Sequence, residues 1–153
     1  MTARADLQRQ FVERFHAGKR PRPASEEQIA EAESALGLLW PESLRQFALI
    51  HGAVYSPSLL HLLVEKQSEF SEVQQFLKPK QTVTETRRWH LSQSGDSVAF
   101  AGDSSGNWFM FRELSSSPPR PDDAAVWLFD LEEGAPVKQA DSFDQWIERF
   151  VNL

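Results

Sequence analysis

A chain of 153 residues, 41% hydrophobic and 25% charged, carries enough apolar material for one core of its own. It has no cysteine, which excludes disulfide scaffolds, thiolate metal sites and cysteine nucleophiles. The formal charge of −6 is unevenly spread: residues 1–22 hold six basic and two acidic side chains, the remainder ten basic and twenty acidic. An acidic body argues against general nucleic-acid binding and suits a basic protein partner. Asp6, Gln8, Arg9 and Gln10 interrupt any secretory-type apolar run at the start, and the longest wholly apolar stretch, Ala124 to Phe129, is far short of the roughly 20 residues of a membrane helix. A cytoplasmic protein with no membrane insertion is the expectation.

In chain order, Leu7, Phe11 and Phe15 fall at i, i+4 and i+8 and predict a first helix ending at Gly18. The basic stretch Lys19 to Pro23 reads as a connector, because its prolines cannot continue a helix. Residues 1–23 are therefore expected to form a helix and connector packed on a domain spanning 24–153. Ser25-Glu26-Glu27-Gln28 is a capping box and predicts a second helix with Ile29, Ala32 and Leu36 buried and Gly37 at its C-terminal end. Pro41 suits the first position of a third helix, carrying Leu44, Phe47 and Ala48 and closed by Gly52.

Leu59 to Val64 reads as a strand, Phe70 to Leu77 as a helix stopped by Pro79, and the β-branched run after Lys80 as an extended segment. Strand formers flank Gly102-Asp103-Ser104-Ser105-Gly106, a hairpin signal. A second hairpin is predicted from Ala124–Leu131 and Ala135–Gln139 around Glu132-Glu133-Gly134. The runs Trp108 to Phe111 and Val126 to Phe129 lack alternation, so both faces of these strands should be covered. Between the hairpins, residues 115–121 read as an exposed Ser/Pro loop. A last helix starts at the capping pair Ser142 and Gln145 and presents Phe143, Trp146, Ile147 and Phe150 on one stripe.

Motifs for chemistry are scarce. No phosphate-binding glycine pattern, zincin motif or nucleophile elbow occurs, and His16, His51, His61 and His90 have no second ligand at a metal spacing. Asp103-Ser104-Ser105-Gly106-Asn107 resembles part of a calcium loop but lacks the downstream glutamate, which leaves turn architecture as its reading. Arg87-Arg88-Trp89-His90 mixes charge and aromatics as single-strand binders do, yet it is one cluster in an acidic chain. No catalytic residue, metal or cofactor is assigned. The acidic set Asp122, Asp123, Asp130, Glu132 and Glu133 brackets the strand from Ala124 and is the candidate binding face: either a solvated edge that discourages aggregation or a surface that steers in a basic protein.

The order of features resembles the SUKH superfamily. Ile29, Leu36, Gly37, Pro41, Phe47 and Gly52 follow its N-terminal signature, and Asp103, Gly106, Asn107, Trp127, Phe143 and Trp146 its C-terminal one, over about residues 24 to 150. The resemblance implies a single α+β domain in which N-terminal helices and a C-terminal helix wrap an antiparallel or mixed sheet. It also implies function by binding. Bacterial members of the superfamily are widely immunity proteins that neutralise toxins, often nucleases, and a fungal relative is an interaction hub in cell-wall regulation. No catalytic site comes with the resemblance. Toxin neutralisation is the first reading and a general interaction module the alternative; a histidine-centred enzyme would need the four histidines gathered with carboxylates. Oligomeric state stays open.

Overall fold

The computed structural model describes residues 3–90, 95–130, 132 and 134–153, and for Trp89 and His90 the backbone. The predicted amphipathic stripes become the walls of one aromatic core. Helix α1 (Ala3–Phe15) buries Phe11, Val12 and Phe15, and α6 (Phe143–Val151) buries Phe143, Trp146, Ile147 and Phe150. The two helices pack on each other, with the Phe11 and Phe150 rings 5.9 Å apart in an edge-to-face contact. Ser142 caps α6 by accepting from the Gln145 amide, and Asp141 N donates to the Gln145 side chain.

Helix α2 (Glu26–Leu36) starts at the expected capping box, with both reciprocal hydrogen bonds between Ser25 and Gln28 present. It ends on Gly37, whose φ of 67° is the left-handed conformation that closes a helix without a Cβ clash. Helix α3 (Glu42–Ile50) begins one residue later than predicted. Pro41 has ψ 145° and so stands as the N-cap rather than the first helical residue.

Three predicted elements are corrected. Leu59 to Val64 is not a strand but helix α4 (Leu59–Glu65): Leu59 and Leu63, four apart, are buried while Leu60 and Val64 are exposed. The neighbouring extended chain lies just before it, where Tyr55 bridges Gln75 and Ser56 N donates to Gln74 O. Phe70 to Leu77 is not helical. It runs extended into β1 (Gln75–Phe76), with Val73 and Phe76 buried and the amides of Gln74 and Leu77 bonded to the carbonyls of Gly102 and Phe100. Its apolar spacing satisfies an irregular extended segment as well as a helix.

Pro79 does not stop a helix but starts one, α5 (Pro79–His90), where its missing N–H costs nothing. The Lys78 amide donates to the Gln81 side chain. The β-branched residues that suggested extension are helical because their tertiary contacts reward it: Thr82 and Thr86 are buried, and the Thr86 hydroxyl accepts from Ala99 N at 2.8 Å. The end of the stretch that follows Lys80, residues 91–94, lies outside the described residues.

Strands β2 (Val98–Gly102), β3 (Trp108–Phe111), β4 (Val126–Phe129) and β5 (Pro136–Ala140) form both predicted hairpins, and with β1 they make a five-stranded, wholly antiparallel sheet in chain order. The fold is therefore a single-domain α+β structure. Leu131, given to the second hairpin by the sequence, lies outside the described residues. Every residue of β2 is buried. On one face Phe109 and Phe111 meet Trp146 and Phe143 of α6 at ring distances of 4.9 and 6.0 Å. Helix α5 packs against β2, and Thr86 takes the edge amide that the two-residue β1 leaves unpaired.

Candidate protein-binding surface

The acidic set occupies two places at opposite ends of β4. Before the strand, Asp123 turns inward: its Oδ1 accepts from Ser43 Oγ, Ala124 N and Phe143 N, each at 2.8 Å, and its Oδ2 from Asp144 N at 3.2 Å. It thus joins the start of α6 to the start of α3, and its oxygens serve the fold. Asp122 is paired with Arg4 through two hydrogen bonds of 3.0 and 2.7 Å, and Arg4 Nε also donates to Asp144 at 3.0 Å. The Arg4 hydrogen bond holds the Asp122 carboxyl below the usual range. Asp144 is pushed the other way, by burial and then by the charge of Asp123.

After the strand, Asp130 Oδ1 accepts from Glu132 N at 2.8 Å and its carbonyl from Gly134 N at 2.8 Å, closing a turn in which Gly134 has φ 70°. Glu132 is exposed at this turn. Glu133 lies outside the described residues.

The family-signature residues are architectural. Ile29, Phe47, Phe143 and Trp146 are in the core, and Leu36 packs against it. Asp103 accepts from the Ser105 and Asn107 amides and from the Asn107 side chain, while Gly106 takes φ 88°, which accounts for the calcium-like run as a self-bonded turn. Ser104 bonds buried Glu72, pinning the hairpin tip to the chain before β1. Trp127 is half-buried with the Arg112 guanidinium 4.8 Å over its ring.

The described histidines serve separate places. His16 bonds Lys19 O and Tyr55 N, His51 leans on Phe47 at 5.4 Å, and His61 is exposed on α4. Burial and then Arg20 hold His51 below its ordinary pKa. Among the described residues, no group of three or more His, Asp or Glu side chains could hold a metal ion. No helix among them is long and apolar enough to cross a membrane.

Two features were not visible in the sequence pattern. One is the ion pair of nearly buried Glu33 with Arg120, in which Glu33 also accepts from Trp40 N at 2.8 Å and Arg120 donates to Trp40 O at 3.0 Å. It fastens the Ser/Pro loop to the α2–α3 corner. The other is an open groove between α2, α5 and the basic connector. Its walls come from separate segments of the sequence, so only the folded chain brings them together.

The sequence matches the family described as SMI1 / KNR4 family (SUKH-1) over residues 23–149. No curated protein matches it.

Proposed function

Because this chain belongs to the SMI1 / KNR4 family (SUKH-1), we propose that it is a non-catalytic protein-binding domain that neutralises a cognate bacterial toxin by direct contact. The family match carries the reading. The uneven charge supports it: residues 121–153 hold eight acidic and two basic side chains, a balance that steers a basic toxin domain, such as a nuclease, towards the chain. Within the acidic set, the turn of Asp130, Glu132 and Glu133 is the part proposed to meet the partner. Asp122 and Asp123, at the other end of β4, are left out of it, since their oxygens are engaged by Arg4, Ser43 and the start of α6.

Inhibition of this kind needs no chemistry from the chain. It needs occupation of the toxin's working surface, and cognate nuclease–immunity pairs show how tight that can be, with Kd down to about 10⁻¹³ M. Co-expression with the toxin encoded beside it tests the proposal: cells carrying both should grow and the purified proteins should form a complex. Growth arrest despite expression of the folded chain, with no complex, removes the toxin reading. A stable complex with an endogenous protein in a host lacking any such toxin would instead support a general interaction module.

A further inference from the structure

The groove between α2, the start of α5 and the connector has a volume of about 670 Å³, in the range of ligand-binding clefts. Its width follows from side-chain size. Ala32 and Ala35 face it from α2, Ala48 from α3, and Gly52 and Ala53 from the chain that follows. Leu77 and Val83 supply the larger apolar surface on the opposite wall.

The connector is held in place over this floor. Ala24 N donates to Ala48 O at 2.9 Å, and Gly52, at φ 75°, lies so close to Arg22 O that a Cβ there would sit 2.5 Å from it. Only glycine allows that approach. The groove is built before any partner arrives.

Its charge is opposite to that of the chain. Arg22, Lys78 and Lys80 line it against one carboxylate, Glu31, in a protein of net charge −6. Among the described residues none of these three cations has a carboxylate within ion-pair distance, whereas Arg4, Arg9, Arg45, Arg88 and Arg120 all do. Folding thus gathers uncompensated positive charge from two segments distant in sequence around an apolar floor.

We propose that this groove docks an acidic segment of a partner protein, with apolar side chains seated on the alanine floor and flanking carboxylates meeting Arg22, Lys78 and Lys80. The apolar floor favours a peptide over a nucleic-acid backbone, which would leave it unfilled. The proposal does not rest on the toxin reading and uses none of the residues of the acidic turn.

Selection of a random 12-residue phage-displayed peptide library on the immobilised full chain tests it. Enriched sequences should place Asp or Glu beside Leu, Phe or Trp, and a synthetic peptide of that consensus should bind more weakly as salt rises. The combined R22E, K78E and K80E variant should lose affinity about tenfold or more, and so should Ala35→Trp, which fills the groove. In the wild-type protein, amide shift changes on adding the peptide should concentrate at residues 21–24, 28–35 and 77–84, a readout that does not depend on any variant folding. No enrichment, a basic or uncharged consensus, shifts elsewhere, or affinity unchanged in both variants would overturn the proposal. Binding of a single-stranded oligonucleotide in place of the peptide, or of a second copy of the chain, would overturn it too.

Discussion

Helices α1 and α6 meet over phenylalanine and tryptophan, while α2 and α5 lie together over alanine, threonine and valine, and the two junctions behave differently. At the first, Phe11, Phe15, Trp146 and Phe150 fill the space between helices and sheet, with Trp146 and Phe150 5.3 Å apart edge to face. All four rings are buried. At the second, Ala32 and Ala35 face Val83 and Thr84 across a groove, Arg87 of α5 reaches the Ala35 carbonyl of α2 at 3.4 Å, and each helix is tied to its other neighbours by polar groups: Glu33 to Arg120 and Trp40, Thr86 to Ala99 of β2. One junction supplies stability by burial; the other gives up burial and keeps a shaped opening.

The largest effect should come from emptying the first junction. Phe143→Ala removes a fully buried ring that touches Phe47, Phe100 and Trp146, and should cost about 3–5 kcal/mol in denaturant unfolding. A smaller loss would mean that the aromatic junction collapses around the hole. On the far side of α2 from the groove, at the α2–α3 corner, Glu33→Ala leaves the Trp40 amide without its acceptor and the Arg120 guanidinium with the Trp40 carbonyl alone, and about 2 kcal/mol should be lost. A cost near that of Phe143→Ala would erase the proposed contrast between burial and polar ties.

Asp144 gives a subtler test on the first junction. Its folded pKa is raised by burial and by Asp123, so ionising it opposes folding: its contribution is fully present below the ordinary carboxylate pKa and is lost as pH rises through the raised value. Asp122 runs oppositely, since Arg4 depresses its pKa and its contribution fades as pH falls. Asp144→Asn keeps an acceptor for Arg4 and removes the charge. Its stability relative to wild type should therefore rise as pH climbs above the ordinary carboxylate pKa, measured by urea unfolding at each pH. A difference that stays flat or falls would assign Asp144 to a simple ion pair with Arg4. Smallest of all, Ala35→Trp adds a ring to open space and should change stability by no more than about 0.5 kcal/mol. A large loss would show that α2 and α5 are packed more tightly there than the groove allows.

The sequence was most readable where one element decides its own form. The capping box at Ser25, the left-handed Gly37 and the hairpin turn at Asp103 and Gly106 are local devices found where they are expected, while at Ser142 only the serine half of the box forms and the Gln145 side chain accepts from Asp141 N instead. Between Leu59 and Ser94 local signals misled. Thr82 and Thr86 favour strands by themselves, but in α5 they are buried and Thr86 accepts from the edge amide of β2, a reward that lies outside the local pattern. Pro79 fits two readings, since proline is common just beyond the end of one helix and also in the first turn of the next. For the acidic set, chain order placed Asp122 and Asp123 beside Glu132 and Glu133, but it carried no information on which carboxylates Arg4 and the start of α6 would engage. The groove was hidden for the same reason, since Arg22 and Lys80 share no sequence neighbourhood.

This chain is proposed to work by binding a protein. Titration of the purified chain with a proposed cognate basic toxin domain, at low and high salt, is the test. A stoichiometric complex of nanomolar or tighter Kd is expected, one that forms more slowly as salt rises and weakens when Glu132 and Glu133 are both changed to lysine. No complex would contradict it, and a complex indifferent to both salt and the charge reversal would contradict the acidic turn as its interface.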